Sequence, residues 1–396
     1  MDIIRLGIVG LGRGFMLTQP ALVGDARIVL AGAVDPRADA CRQFAAEFGA
    51  TPFPSLEAML AAPDIDAVYI ASPHEYHAEQ AIAALRAGKH VLVEKPMATS
   101  VNDCAAMAEA ARRANRVLVV GPSHGFDAPV RAAADLIEAG VYGPLRQLLA
   151  FNFTDFMYRP RRPEELDPAR GGGVVYSQAA HQIDVVRRLV GRKLRSVRAV
   201  TGNWDGARPS DGAYSAMLFF DGGAAATLSY SGYAHYDSDE LLGWIGELGH
   251  PKDPEAYGTA RRALRHHSPQ DEIAAKLART YGASRQQPGS PAPHHEHFGF
   301  ILASCERADI KVLPTGLMLY ADDAREWRPI APPVVPRQAV IDEFAAAIGG
   351  ARPAIHDGRW GLETMAACVA LIDSATRQAE TFPDTIIDTA LEKITP

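Results

Sequence analysis

Five short apolar runs punctuate the first 124 residues: IRLGIVGLG (4–12), RIVLAGAVD (27–35), DAVYIASP (66–73), HVLVEKP (90–96) and RVLVVGPS (116–123). Their apolar residues are consecutive rather than alternating, as in strands covered on both faces. Alanine-rich stretches separate them: PRADACRQFAAEFG, HEYHAEQAIAALRAG and SVNDCAAMAEAARRAN. The second stops at Gly88, just after Arg86. The third starts at Ser100, whose hydroxyl can cap the free N–H groups of a first helical turn. This alternation predicts an α/β fold, with βαβ units in a doubly wound parallel sheet over residues 1–124.

From residue 125 the pattern changes. A chain of 396 residues exceeds what one core ordinarily serves, so residues 125–396 are read as a second domain. DAPVRAAADLIEAG reads as one more helix. RQLLAFNFTDFMY, LRSVRAVTGNW, YSAMLFFDGG and AATLSYSGY read as strands with turns between them, and strands resume in FGFILASC, IKVLPTGLMLYAD and REWRPI. A last amphipathic helix spans GLETMAACVALIDSATRQAE. Residues 236–297 are polar and rich in Pro and His, and predict an irregular insertion with two short helices.

The formal net charge is -7, and no basic block offers a track for phosphates, which argues against a nucleic-acid partner. No apolar run approaches the roughly 18 residues of a membrane span. Cys41, Cys104, Cys305 and Cys368 form no CxxC pair and read as small buried apolar residues in a reducing compartment. A cytoplasmic protein is the expectation.

GLGRGF (10–15) follows the first strand and precedes a helix. In a dinucleotide site the first glycine, Gly10, makes the turn, and the second, Gly12, admits backbone N–H groups to a pyrophosphate. Arg13 and Gly14 follow, and Phe15 holds the place of a third glycine. Asp35 ends the second strand, where a carboxylate takes ribose hydroxyls and repels a 2'-phosphate. That favours NAD, while neighbouring Arg37 keeps NADP open. SPHEYH places Ser72, Pro73, His74 and His77, and EKP places Glu94, Lys95 and Pro96, at the carboxyl ends of strands, where open sheets bind ligands. An ordinary βα turn and a surface Glu94–Lys95 pair are the simpler alternatives.

GIVGLGRG, HEYHAEQAIAALRAGKHVLVEKPMA and GGGVVYSQAAHQID together resemble the Gfo/Idh/MocA oxidoreductases over nearly the whole chain. The resemblance implies an N-terminal Rossmann domain and a C-terminal α+β domain with a large, mainly antiparallel open sheet that forms dimers or tetramers. It implies hydride transfer between a nicotinamide cofactor and a carbinol carbon, with Lys95 and His181 catalytic. Gly171–Gly173 would bring backbone close to nicotinamide and substrate, and Asp184, one turn beyond His181, would be a further substrate-binding residue. The family's usual aspartate four residues before the histidine is Ser177 here, and Ala179 replaces a common glycine. Both departures imply altered substrate chemistry, with Ser177 or Gln178 orienting His181.

Arg159, Arg161, Arg162 and Arg170 cluster within NFTDFMYRPRRPEELDPARGGG (152–173), beside Phe153, Phe156 and Tyr158. Guanidinium forks pair with carboxylates, so the segment predicts an anionic ring substrate. The alternative is a basic loop neutralised by Glu164, Glu165 and Asp167. This stretch, with HHEHFGFILASCERAD, resembles the phthalate cis-dihydrodiol dehydrogenases, which oxidise a dicarboxylated ring diol to the dihydroxy aromatic. Lys95 would accept or relay the hydroxyl proton, with His124 a second group in the cleft. A sugar, cyclitol or sugar-acid dehydrogenase, an NAD-retaining glycosidase and a non-catalytic dinucleotide sensor are the rival readings. HHEHFG (294–299) offers three histidines and a glutamate, but neighbours on an extended chain face opposite ways, so no metal is expected.

Overall fold

The computed structural model describes residues 3–283 and 292–394. Residues 284–291, part of the expected irregular insertion, lie outside the described residues.

The first apolar runs form β1 (Ile4–Val9), β2 (Ile28–Val34), β4 (Ala67–Ile70), β5 (His90–Val93) and β6 (Leu118–Val120). A two-residue strand, β3 (Thr51–Pro52), was not legible as a run. They pair in the order β3-β2-β1-β4-β5-β6, all parallel. The connecting helices are α1 (Arg13–Gly24), α2 (Ala38–Phe48), α3 (Leu56–Ala61), α4 (His77–Arg86) and α5 (Val101–Ala114). Ser100 caps α5, its hydroxyl accepting from the Asp103 N–H at 3.1 Å. The strand order reverses beside β1, which opens a ligand crevice at the carboxyl edge.

Past α6 (Ala128–Glu138), strands β7 (Leu145–Phe153), β8 (Leu194–Gly202), β9 (Ala213–Phe220) and β10 (Ala225–Ser231) build the second sheet. It is completed by β11 (Phe300–Cys305), β12 (Ala308–Leu313), β13 (Gly316–Ala321) and β14 (Arg325–Pro329). The order is β14-β13-β12-β11-β7-β10-β9-β8, with β7–β10 the parallel pair and the others antiparallel. IKVLPTGLMLYAD, read as one strand, is a hairpin turning at Pro314 and Thr315. The helix α7 (Ala180–Val190) lies against one face, and the insertion carries α8 (Thr259–Leu264) and α9 (Pro269–Leu277).

Three helices follow the second sheet: α10 (Gln338–Ile348), α11 (Gly358–Arg377) and α12 (Pro383–Ile394). They return to the first half. Val340, Ile341 and Phe344 join the core under β1 and α1, and Leu362, Met365 and Ile387 join the core of β5 and α5. Buried Arg187 holds α7 to α11. Its guanidinium donates to the Trp360 carbonyl at 2.9 Å and to Thr364 and Glu363, and lies 4.0 Å from the centre of a Trp360 ring. Arg187→Ala leaves those acceptors without their donor and is expected to cost about 2–3 kcal/mol. Thermal unfolding checks this: an unchanged midpoint would show that the α7–α11 contact does not depend on the guanidinium.

Candidate active site

The carboxyl edge of the first sheet and the second sheet's α7 face one cleft of about 670 Å³. On the sheet side it is lined by Gly12, Arg13, Gly14, Ser72, Pro73, His74, Glu94 and Lys95. Across from them lie Asn152, Thr154, Phe156, Arg159, Arg161, Arg162, Gly171–Gly173, Gln178 and His181. His124, from the turn after β6, completes the wall.

The glycine turn fits a dinucleotide. Gly10 has φ +88°, and a Cβ there would lie 2.8 Å from Ser72 backbone atoms. Gly12 precedes α1 with no side chain capping the helix, so its first N–H groups are open to an anion. A Cβ on Gly14 would come 2.7 Å from Glu94 Oε1. Phe15 stands in the third glycine's place because it is core: it is fully buried against Phe44 and Tyr281.

Several residues singled out above lie elsewhere. Asp35 and Arg37 do not line the cleft. The Asp35 carboxylate accepts from the Leu11 N–H at 2.7 Å, the Arg37 N–H at 2.8 Å and the Arg37 guanidinium, at the end of β2 beside the glycine turn. His77 is buried, with ring nitrogens 3.0 Å from the carbonyls of Pro96 and Ser72, and it ties two strand ends together. Asp184 is not among the residues that line the cleft: it accepts from Ser123, from the Gly125 N–H at 3.1 Å and from Trp360 Nε1 at 2.6 Å. Tyr158 packs under Arg261 and beside Tyr233. The Ser177 hydroxyl donates to the Gly173 carbonyl at 2.7 Å and does not orient His181.

The local backbone explains the glycine run. Gly171 and Gly173 have φ +77° and +99°, and a Cβ on Gly172 would lie 2.7 Å from Asp167 backbone atoms. A π-helical turn, Val175–Ala179, then leads into α7. Such turns recur at functional sites because they break the regular ladder. Lys95 reaches across the cleft and donates to the Ser177 carbonyl at 3.0 Å.

Burial lowers the pKa of Lys95 to about 8. Burial also pushes His181 well below the ordinary histidine value, helped by the charges of Lys95 and His124, so its imidazole is neutral. Among the described residues, nothing hydrogen-bonds its buried Nδ1. His124, with its ring 4.8 Å from that of His181, behaves oppositely. Burial lowers its pKa, but Asp127 at 2.8 Å and Glu247 at 3.8 Å outweigh burial and keep it protonated.

Glu247, inside the insertion, was not anticipated. Burial raises its carboxyl, but His124, Arg159 and Lys95 hold it down at about 2. The arginines do reach the cleft, each beside an acid: Arg159 with Asp155 at 2.9 Å, Arg161 with Glu165 at 3.6 Å and Arg162 with Glu164 at 3.2 Å. Buried Arg161 Nε still lacks a partner. The histidines of 294–299 mostly meet backbone: His295 the Ala331 carbonyl at 2.8 Å, His297 the Ile245 carbonyl at 2.9 Å. His124, Asp127 and Glu296 bring ligand-type atoms within 4.8 Å of one another, but Arg337, 3.4 Å from Glu296, already supplies positive charge there.

Residues 4–122 match the oxidoreductase family with an NAD-binding Rossmann fold, and residues 130–250 match the GFO/IDH/MocA C-terminal domain. The chain belongs to the GFO/IDH/MocA oxidoreductase family. It is 44% identical to the 1-carboxy-3-chloro-3,4-dihydroxycyclohexa-1,5-diene dehydrogenase of Comamonas testosteroni, over 93% of this chain and 94% of that one. The crystal structure of a protein from Bordetella bronchiseptica RB50 assigned as a dehydrogenase superposes with TM-score 0.90 at 38% identity, covering 96% of this chain and 100% of that one. At the level of fold alone, the WlbA dehydrogenase of Bordetella pertussis, solved with NADH and UDP-GlcNAcA, gives TM-score 0.67 at 24% identity over 96% and 99%.

The His124–Glu247 contact is directly testable. Removing the Glu247 charge leaves the buried imidazolium one carboxylate short, so Glu247→Gln is expected to lower the His124 pKa. An NMR titration of the His124 ring reads this. An unmoved midpoint would take Glu247 out of the site.

Proposed function

We propose that this oxidoreductase is an NAD-dependent dehydrogenase of an anionic cyclic cis-diol, converting a carboxylated dihydrodiol to the dihydroxy aromatic. The observation that carries the reading is one cleft in which a half-buried lysine of lowered pKa and a neutral histidine meet an arginine-lined recess that includes Phe156. The likeness to the Comamonas enzyme, whose name specifies a carboxylated ring diol, supports it.

The open N-terminus of α1, Gly12, Arg13 and Gly14 would hold the pyrophosphate of NAD, with Ser72, Pro73 and Lys95 beside the rest of the molecule. Bound NAD supplies the two-electron acceptor for the hydride of the carbinol carbon. Lys95, neutral in its basic form, takes the hydroxyl proton. His181 donates to or accepts from the reacting oxygen. Phe156 provides a flat wall for the ring, and Arg159 and Arg161 meet its carboxylate. The hydroxyketone that forms loses a ring proton to the medium and regains it on oxygen, becoming aromatic, which draws the oxidation forward.

Because only the unprotonated amine accepts a proton, kcat/KM for oxidation is expected to rise with pH and level off above about 8. Lys95→Met is expected to lose activity by about a thousandfold. NADH absorbance, followed with carboxylated dihydrodiols against neutral cyclitols, checks both statements. Equal turnover of neutral cyclitols would overturn the anionic-ring reading.

We further infer that the second sheet pairs with another copy of the chain. Register aligns Met217, Thr227, Leu149, Leu302, Lys311, Met318 and Trp327 in one strip across the sheet, with Met217 45% and Trp327 40% exposed. Uncovered apolar area of this kind favours association. Light scattering is expected to give an oligomer mass that falls in Met217→Asp; a monomeric native protein would refute the pairing.

A further inference from the structure

The insertion does more than wall the cleft. Its α9 is anchored to the second half. Glu272 accepts from the Arg161 N–H at 2.8 Å and from Arg208 at 3.0 Å, and Lys276 pairs with Glu165 at 2.6 Å. The chain then crosses to the first half. The Tyr281 N–H donates to the Leu11 carbonyl at 3.1 Å, directly on the glycine turn. The Tyr281 ring sits among Phe15, Phe44 and Phe48, with centroids 5.7, 5.9 and 6.4 Å away, and its hydroxyl donates to Glu47. Residues 269–281 thus strap the two halves together beside the place where the adenosine end of a dinucleotide lies in a parallel sheet of this order.

The strap's contact with Arg37 has a chemical consequence. A guanidinium has five N–H donors. Arg37 Nε donates to Asp35 Oδ1 at 2.9 Å. Nη1 donates to Thr280 Oγ1 at 2.7 Å and to the Tyr281 carbonyl at 2.9 Å. Nη2 donates to the Leu11 carbonyl at 2.8 Å and to Asp35 Oδ2 at 3.1 Å. All five donors are used, two of them by the strap. Arg37 is the cation nearest in sequence to the end of β2, where a 2'-phosphate would need a guanidinium fork. With its donors engaged and Asp35 beside it, that phosphate meets a filled arginine and a carboxylate.

We propose that Thr280 and Tyr281 are cofactor-specificity determinants, which hold Arg37 away from a 2'-phosphate and so set the enzyme's preference for NAD over NADP. The inference rests on the cleft being the dinucleotide site, but it does not depend on the diol substrate.

Dissociation constants for NADH and NADPH, measured by nucleotide fluorescence on the purified full chain without substrate, test it. In Tyr281→Ala the ring anchor is gone and two donors of Arg37 are released. The ratio of the NADPH to the NADH constant is then expected to fall about tenfold. Arg37→Ala strips Asp35 of its partner and so shifts the ratio by itself; that variant is therefore the reference, and adding Tyr281→Ala to it is expected to leave the ratio where Arg37→Ala alone puts it. Three results would each overturn the proposal: an unaltered ratio in a folded Tyr281→Ala protein, equal tightening of both nucleotides, or the same fall in the ratio when Tyr281→Ala is made in Arg37→Ala. If Tyr281→Ala does not fold, Thr280→Val, which removes one acceptor of Arg37 Nη1, is read in its place, with a smaller fall expected and an unaltered ratio overturning the proposal.

Discussion

The contact from the Lys95 ammonium to the Ser177 carbonyl is the point on which the site depends. Lys95 ends β5 of the first sheet, and Ser177 lies in the π-helical turn that opens α7 beside the second sheet. An ammonium drawn partly out of water into a cleft is costly unless its protons find acceptors. The regular ladder of an α-helix would leave fewer carbonyls free at this place, and the π turn offers one. One hydrogen bond therefore joins the two halves where the proposed chemistry occurs, and the same burial that makes the contact necessary lowers the lysine toward neutrality.

Asp184 fixes the opposite end of this arrangement. It is buried one turn beyond His181 and receives donors from Ser123, Gly125 and Trp360. Those partners belong to the turn bearing His124 and to α11, so the carboxylate pins α7 against both. A Cβ on Gly125 would come 2.3 Å from Asp184 Oδ2, which explains a glycine immediately after His124. The 4.8 Å between the His124 and His181 rings follows from this anchoring rather than from any direct bond between them.

Much of this architecture was legible in the sequence because it is local. Consecutive apolar residues marked the buried parallel strands, and Ser100 marked a helix start. Gly10 and Gly14 stand where any side chain would strike Ser72 or Glu94, and Gly12 where one would crowd the Ala71 carbonyl. What escaped notice is set by distant partners. Asp184 looked like a cleft residue because helical spacing from His181 cannot report that Trp360 and Ser123 lie on its side. Ser177 looked like an orienting group, but a serine within a helical turn can bond back to a carbonyl one turn earlier, and it does so with Gly173. The arginine-rich stretch gave no sign of which acid each guanidinium would meet, and Glu247 sits in an irregular segment with no periodicity to mark it.

The two histidines show why that irregular segment matters to the chemistry. Residue 177 is a serine bonded back to Gly173, and among the described residues nothing hydrogen-bonds His181 Nδ1, so burial, with the charges of Lys95 and His124, keeps His181 neutral. The carboxylates stand beside the other ring. Asp127 and Glu247 flank His124 and hold it as a cation. Opposed environments divide roles between like groups: His124 becomes a fixed positive charge, and His181 remains able to exchange a hydrogen bond with a reacting oxygen. Each of these cations has a carboxylate beside it, so a bound carboxylate would compete with Glu247 and Glu165 for His124, Arg159 and Arg161. Glu247, carried by the insertion, therefore couples the charge state of His124 to the same segment whose strap engages Arg37 at the nucleotide end.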